Sequence, residues 1–281
     1  MPICIHCRHP VPVLYTTYSK ADDRALGKGV RLTQCPTCKD FADKYVEHDF
    51  VVLFIDLVLI KSEVYRHLLF NRLTPSATHF DRSIIRLGSL LLLFDVYLTW
   101  ARIEKLPSAT GLQNSNILQS QPIVLQYFFF LALVLASTLA FHVPIRALCG
   151  VNPARVPKAV RGVWGRLVPW YPHPTGLSTA LLVSSCTKLF PILLIIWDYD
   201  LPSSATAVSR AVIVNNVAAL EILMDCGYVR AGMLVAVGAG VSNLVAWVMV
   251  WCAGLGTGWE GYSVVESARA WVEEMMRMVE V

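Results

Sequence analysis

The sequence has little charge. Only 16% of its 281 residues are charged, whereas a soluble domain carries about 25%. The shortage is concentrated in the second two-thirds of the chain, and the composition is 55% hydrophobic with a mean hydropathy of +0.53. Long apolar stretches with few charges argue against an ordinary soluble globule and are typical of transmembrane segments.

The sequence also lacks the short motifs of the common hydrolases and nucleotide-dependent enzymes. It contains no G-x-S-x-G, no H-E-x-x-H, no P-loop and no dinucleotide fingerprint. Four of its histidines have no obvious catalytic partner in sequence: His67, His79, His142 and His173. We therefore expect that the protein is not an enzyme and that it has no catalytic residues.

Neither a secretory signal nor a disulfide framework is evident. No short apolar stretch with a small-residue cleavage site precedes the first cysteines, so we expect no secretory signal. Four of the eight cysteines stand singly in or beside apolar segments, where cysteine mostly acts as a small hydrophobic residue: Cys149, Cys186, Cys226 and Cys252. Free thiols imply a reducing compartment.

Two Cys-x-x-Cys pairs stand near the N terminus, separated by 27 residues: Cys4 and Cys7, then Cys35 and Cys38. Four thiolates are the ligand set of a closed structural Zn²⁺ site, which leaves no coordination position for chemistry. His6 and His9 lie close by as alternative ligands. A thioredoxin-like redox pair is the alternative for either motif alone, but the presence of two pairs argues against it.

These pairs predict a zinc ribbon over residues 1–40, with a short β hairpin between the two cysteine pairs. Forty residues bury too little apolar surface to fold unaided, so bound Zn²⁺ would supply the folding free energy.

A zinc ribbon can also bind nucleic acid. Residues 1–82 carry 11 Lys and Arg against 9 Asp and Glu, which is far from a basic footprint, so we expect no nucleic-acid partner.

The residue pattern over 41–72 predicts an amphipathic helix at the membrane interface. Asp49, Asp56 and Glu63 recur every seven residues and would share one stripe, with Glu63 one turn from Arg66 and His67. The apolar run at 50–59 is too short to cross a bilayer, which needs about 20 residues. A helix lying in the headgroup plane is one interpretation, and a plain amphipathic helix packed on the membrane body is the other.

The rest of the chain predicts a mainly α membrane protein with about five transmembrane helices in a body over residues 83–253. The predicted spans are 84–103, 122–143, 177–197, 206–226 and 230–253. The last two are joined by a few residues, so they form a hairpin that either crosses fully or re-enters. The tail, residues 254–281, has the apolar face of a second amphipathic surface helix.

Loop charge predicts the orientation. The 144–176 loop carries five basic residues and no acid: Arg146, Arg155, Lys158, Arg161 and Arg166. The positive-inside rule makes this loop cytosolic, and counting back two spans makes the zinc ribbon cytosolic as well. Counting forward puts Asp198, Asp200 and the tail on the far side. The loop is also rich in Trp, a composition that favours anionic headgroups, although topology alone explains its charge.

Ionisable groups inside apolar helices are costly and point to function or to helix pairing. The candidates for lipid contact or helix pairing are Asp56, Asp95, Lys188 and Glu221. Asp95 and Lys188 sit at similar depth and could pair. Gly232, Ala236 and Gly240 form a stripe of small residues that suits close helix packing within the chain or self-association.

Residues 3–72 contain four distinctive segments: RLTQCPTC at 31–38, ADKYVE at 42–47, FIDLVL at 54–59 and YRHLLFN at 65–71. With these segments, residues 3–72 resemble the Arv family of endoplasmic-reticulum membrane proteins of sterol homeostasis. It implies intracellular sterol transport and distribution, with links to sphingolipid metabolism and to the handling of glycosylphosphatidylinositol (GPI) anchor precursors. It also implies residence in the endoplasmic reticulum, or also in the Golgi, and places the family's cysteine pairs on Cys4, Cys7, Cys35 and Cys38.

Together with the missing catalytic motifs, the resemblance implies a non-enzymatic mediator of sterol homeostasis whose partners are membrane lipids: sterol, sphingolipid or GPI precursor. Two alternatives remain open. The protein could be a scaffold that recruits lipid-synthesis enzymes, or a membrane-embedded lipid transferase.

Overall fold

The computed structural model describes residues 1–18, 29–73, 80–105, 122–152, 157–189 and 201–253. Most of these residues are helical, and a two-stranded antiparallel hairpin and a cysteine cluster lie near the N terminus. We call residues 1–72 the head and residues 83–253 the body. The predicted tail helix, Arg155, Asp198 and Asp200 lie outside the described residues.

The head begins with two similar turns, which we call the knuckles, one around each cysteine pair. In the first, the Arg8 N–H donates to the Cys4 carbonyl; in the second, the Lys39 N–H donates to the Cys35 carbonyl. Arg8 and Lys39 both adopt left-handed backbone conformations, with φ of 61° and 64°. Between the knuckles, strands β1 (Tyr15–Tyr18) and β2 (Gly29–Leu32) pair antiparallel, with Tyr15 opposite Leu32.

Residues 41–72 do not form the single helix that the sequence predicts. They contain a 3₁₀ turn (Lys44–Val46), helix α1 (Phe50–Val58), helix α2 (Ser62–Arg66) and a π-helical turn (His67–Arg72). Ile60 ends α1 because its φ of 58° is left-handed, a conformation that a β-branched residue rarely adopts and that no helix can continue through. The break turns α2 toward the cysteines.

In the described part of the body, six further helices are present. They are α3 (Arg82–Lys105), α4 (Ile123–Gly150), α5 (Lys158–Leu167), α6 (Pro174–Ser184), α7 (Leu201–Met224) and α8 (Tyr228–Cys252). A 3₁₀ turn (Ser185–Leu189) follows α6. Helix α4 packs along α8, α6 packs along α7, and α3 contacts α4 and α6.

Two helices of the described chain, rather than the five predicted, are long and apolar enough to cross a membrane: α4 and α8. Charge or length explains why the other three predicted spans are not among these helices. Helix α3 carries Arg86 and Asp95 between charged ends, and α7 carries Arg210 and Glu221. Helix α6 has only 11 residues, and the remainder of its predicted span, 190–197, lies outside the described residues. The two candidate spans are consistent with a membrane protein.

One hydrophobic core runs from the head into the body. Ile5 and Tyr45 of the head belong to the same buried cluster as Leu69, Leu181 and Leu220. A second cluster joins α3, α4 and α8 through Val96, Phe130 and Val250 among others. The head is therefore packed onto the helices and not tethered at a distance from them.

Candidate metal centre

The two knuckles bring four cysteine sulfurs together. The Sγ atoms of Cys4 and Cys38 lie 3.7 Å apart, those of Cys7 and Cys35 lie 3.5 Å apart, and all four lie within 4.8 Å of one another. A tetrahedral metal ion with bonds of about 2.3 Å to each sulfur places the sulfurs about 3.8 Å apart. The four cysteines therefore fit one metal ion, with each knuckle supplying two ligands.

The local backbone makes thiolates favourable. The backbone N–H of Cys38 donates to the Cys35 sulfur and, with the neighbouring thiols, lowers the pKa of Cys35 to about 6. For Cys38, the backbone N–H of Asp40 favours the thiolate, but desolvation and the three neighbouring sulfurs raise its pKa to about 12. One thiolate forms readily, and a second negative charge beside it is opposed until a cation binds among the sulfurs.

The neighbouring histidines do not join the sulfur cluster. The His6 Nδ1 atom lies 3.3 Å from the Glu63 carboxylate, and the metal-ligating group found in the described residues contains cysteines alone. Cys4 and Cys35 are buried, whereas Cys7 is exposed. Four protein ligands complete a tetrahedral shell, so the site suits a structural role and leaves no position for a reacting water.

Helix α2 and the turn after it hold the first knuckle in place. The guanidinium of Arg66 donates to the carbonyls of Ile5 and His6, at 2.8 and 2.9 Å. The Asn71 side chain accepts from the Ile3 N–H and donates to the Ile3 carbonyl. These bonds satisfy backbone groups of a loop that has no regular partner strand.

A buried carboxylate connects the two knuckles to this helical segment. Asp43, fully buried, accepts from the Tyr45 N–H at 3.0 Å, from Asn71 at 2.7 Å, and lies 2.7 Å from His67 Nδ1. Asp43 follows the second knuckle, whereas Asn71 binds the first. Because a buried carboxylate is tolerated only when it is paired, this network fixes the relative position of the two knuckles.

Asp56, predicted as a lipid-contacting or helix-pairing residue, pairs within the head. Its carboxylate accepts from the Tyr45 hydroxyl at 2.9 Å and lies 2.7 Å from Lys61 Nζ. The Lys61 ammonium, with the Tyr45 hydroxyl, holds the pKa of Asp56 below its usual value despite the opposing effect of burial. Asp56 therefore joins α1 to the 3₁₀ turn after the second knuckle.

Glu63 does not face Arg66 and His67 as its helical spacing predicts. Its carboxylate pairs with Lys44 and His6, while Arg66 and His67 contact the backbone of the first knuckle and Asp43. The three side chains point to different parts of the cysteine unit because the helix is one short turn packed against it.

The structure brings two of the intramembrane candidates together. Lys188 Nζ, in the 3₁₀ turn after α6, lies 2.7 Å from Asp95 Oδ2 on α3. Glu221 is half-buried in the last turn of α7. The Asp95–Lys188 pair thus joins α3 to the 3₁₀ turn after α6.

Sequence reasoning missed the Asp43–His67–Asn71 network, because Asp43 lies 24 residues from His67 and no helical spacing connects them. A signal was present, because all three residues lie within the ADKYVE and YRHLLFN segments that carry the family resemblance. Polar residues inside segments that otherwise pack as core indicate mutual pairing.

Comparison with known proteins extends the resemblance beyond the head. A family model described as the Arv1-like family matches residues 3–220. The chain is 35% identical over 257 residues to protein arv1 of Schizosaccharomyces pombe, a match that covers 90% of this chain and 86% of that protein. It is 31% identical over 268 residues to protein ARV1 of Candida albicans, covering 87% of each.

A more distant relative also matches over most of the length of both chains. Protein ARV1 of Mus musculus is 28% identical over 229 residues, which cover 79% of this chain and 73% of that protein. No solved structure matches the chain. The family model spans both the cysteine-bearing head and most of the helical body, and the chain belongs to the Arv1-like family.

Proposed function

We propose that this protein is a non-enzymatic mediator of sterol distribution between membranes. In this proposal, bound Zn²⁺ stabilises the head, and the head packs on a helical membrane body. The observation that carries the proposal is the shared core and hydrogen bonding of head and body, which makes the metal-binding unit part of the membrane structure. Sterol transport, and the links to sphingolipids and GPI precursors, are what the family resemblance implies.

The metal in this proposal is Zn²⁺ in a structural role. Four cysteine ligands at tetrahedral spacing favour it, because soft thiolates select Zn²⁺ and similar ions over Mg²⁺ or Ca²⁺. When bound, the ion supplies charge neutralisation and cross-linking and no catalytic step. The absence of an open ligand position supports the view that the head is not an active site.

The outer surface of α1 supports contact between the head and the bilayer. Phe50, Val51 and Leu59 are 78%, 64% and 62% exposed, while the single charged residue of α1, Asp56, faces inward. A helix with apolar groups on its exposed face and its charge turned inside is unfavourable in water. We infer that this face lies in the lipid interface beside the body.

The proposed location is the endoplasmic reticulum membrane, or also the Golgi, with the head in the cytosol. The charge of the basic 144–176 segment favours the cytosolic side for the carboxyl end of α4, and the head shares its core with Ile145 and Cys149 at that end. The free cysteines favour the same orientation independently. A glycosylation acceptor placed after Val281 should be modified in cells, and one placed in the 144–176 segment should not. The reverse pattern would place the head in the lumen.

Reconstitution tests the transport role directly. Purified zinc-loaded protein in donor vesicles should accelerate the movement of a fluorescent sterol to acceptor vesicles. The Phe50→Ser, Leu59→Ser double variant should slow it, because the head loses its membrane contact. The matched control is Val13→Ser, at a position that is 49% exposed elsewhere on the head. Transfer equal to that of protein-free vesicles would refute direct transport and favour a scaffold that recruits lipid-synthesis enzymes.

A further inference from the structure

Helix α5 belongs to a loop that leaves the carboxyl end of α4 and returns to it. The N–H of Tyr171, which follows α5, donates to the Cys149 carbonyl at 3.0 Å, and Cys149 lies in the last turn of α4. Residues 150–170 therefore begin and end at the same place. Since α4 is a candidate membrane span, its end would lie at a bilayer surface, and α5 is held within reach of that surface.

Helix α5 is too short and too open to be stable by itself in water. It has 10 residues, whereas isolated helices shorter than about 12–15 residues are marginal in water. Two of its residues, Gly162 and Gly165, disfavour a helix relative to alanine. Nothing lies within 4 Å of a Cβ placed at either glycine, and α5 takes no part in the main helix–helix contacts of the described body. A surface other than the described body must therefore stabilise it.

The residues of α5 are arranged by polarity. Apolar residues occupy positions 160, 163, 164 and 167, the spacing i, i+3, i+4 and i+7 of one helical side. Basic residues occupy positions 158, 161 and 166 on the other side, and α5 contains no acid. Leu167 is 44% exposed, and Arg166 is exposed as well. A short helix with a basic side and with tryptophan and leucine on its apolar side has the pattern of a helix that lies in a membrane surface.

We propose that α5 lies in the headgroup layer of the cytosolic leaflet and binds anionic phospholipids of the bilayer that α4 crosses. Trp164 and Leu167 lie toward the acyl chains, and Arg166 meets lipid phosphates, whose oxygens match the N–H donors of a guanidinium. Trp170, 50% exposed shortly after the helix, suits the same layer, in which tryptophan is enriched. The lipid belongs to the same bilayer because the hydrogen bond from Tyr171 holds the loop at the end of α4.

This placement of α5 depends on the proposed membrane insertion of α4 but not on sterol transport. It also differs from the general attraction of a basic segment to a membrane, since charge alone does not require a helix. Because α5 has little packing of its own, its helical state depends on the lipid that covers it. The helix is stable where the leaflet contains anionic lipid and frays where that lipid is missing.

Hydrogen exchange of the full zinc-loaded chain in lipid nanodiscs tests the proposal. The discs contain phosphatidylcholine alone or mixed with phosphatidylserine. Amides of residues 162–167 should exchange about tenfold more slowly in the mixed discs, because basic residues are attracted to an anionic surface. Arg166→Gln should reduce this difference about fivefold, the effect of one basic residue near that surface, and Arg166→Lys should retain it. Arg82→Gln is the matched control, because Arg82 is exposed at the start of α3, and it should leave the difference unchanged.

Two further variants separate helix stability from lipid binding. Gly165→Ala should slow exchange of α5 in both kinds of disc and preserve the difference between them, because alanine favours the helix and its Cβ meets no neighbour within 4 Å. Leu167→Ser should speed exchange in the mixed discs, because the apolar side of α5 loses part of its contact with the acyl chains.

Each other outcome overturns the proposal. Equal exchange in the two kinds of disc would show that anionic lipid does not stabilise α5, and slow exchange in both would mean that protein covers it. Equal losses in Arg166→Gln and Arg82→Gln would reduce the effect to the net charge of the chain. Slowing that appears only when phosphatidylserine is supplied in separate vesicles would assign α5 to an apposed membrane. Sterol transfer is measured on the same variants, so its failure is scored separately.

Discussion

The guanidinium of Arg8 lies 3.0 Å from the carboxylate of Asp225 and donates a 3.3 Å hydrogen bond to the carbonyl of Ile222. Arg8 is the left-handed residue of the first knuckle, directly after Cys7. Ile222 and Asp225 lie at the carboxyl end of α7, where a helix presents free carbonyls and a partial negative charge. The conformation of the metal site is therefore coupled to the turn between α7 and α8.

Loss of the Arg8 side chain should loosen that turn. We expect Arg8→Gln to speed hydrogen exchange of amides around residues 222–230, because both the carbonyl bond and the ion pair are lost. Asp225→Asn removes only the ion pair, whose carboxylate is 72% exposed, and such pairs contribute about 1 kcal/mol or less. Asn also tolerates the left-handed φ of 52° at this position. An equal effect of the two variants would show that the carbonyl bond contributes nothing.

Loss of one cysteine ligand should release the metal and unfold the head. We expect Cys35→Ser to lower the bound zinc, measured by elemental mass spectrometry, from one ion per chain toward zero, since a three-cysteine site is incomplete. Limited proteolysis should then cut residues 1–72 while α4 and α8 stay membrane-inserted. Cys226→Ser is the control, because Cys226 lies outside the sulfur cluster. A head that resists protease after chelation would refute the structural role of the metal.

The sequence predicted the parts of this molecule that local patterns determine. Two cysteine pairs indicated the metal site, and the apolar run of α4 indicated a span, because ligand spacing and hydropathy are local properties. The split of residues 41–72 could not be read in this way. Its helical periodicity continues through Ile60, and the break is stabilised by long-range contacts of Arg66, His67 and Asn71 with the knuckles.

The charged residues of the body show the same limit. Similar depth was enough to suggest the Asp95–Lys188 pair, but depth gives no information about rotation around a helix axis. The hydrogen bond from Arg146 to Ser178 depends on how α4 packs on α6, and that packing is set by side-chain fit across the interface. Sequence periodicity alone does not determine it.

The buried Asp43 carboxylate should be the most sensitive polar position in the head. In Asp43→Asn, an amide NH₂ replaces one of the two oxygens, so the side chain loses either the hydrogen bond from the Tyr45 N–H or the contacts with His67 and Asn71. Leaving buried donors unpaired costs about 1–3 kcal/mol, which should lower the melting temperature of the purified protein. Asp49→Asn is the matched control, because Asp49 is exposed and makes no side-chain cap to α1. A fall of equal size in both variants would contradict the network.

Close packing of α4 against α8 depends on Gly238 rather than on the predicted stripe of small residues. A Cβ at Gly238 would lie 2.8 Å from the Ile145 side chain and 3.0 Å from the Phe141 carbonyl oxygen, whereas nothing lies within 4 Å of one at Gly232 or Gly240. Neither neighbour can move easily, since Ile145 is fully buried and the oxygen belongs to helical backbone.

Two glycine-to-alanine variants on the same helix separate packing from helix propensity. Gly238→Ala should lower the melting temperature, because overpacking costs about 1–3 kcal/mol and outweighs the gain of about 0.5–1 kcal/mol from replacing a helical glycine. Gly240→Ala receives that gain without the clash and should be neutral or stabilising. A stabilised Gly238→Ala would show that α4 and α8 lie further apart. A destabilised Gly240→Ala would instead restore the small-residue stripe as a packing or self-association face.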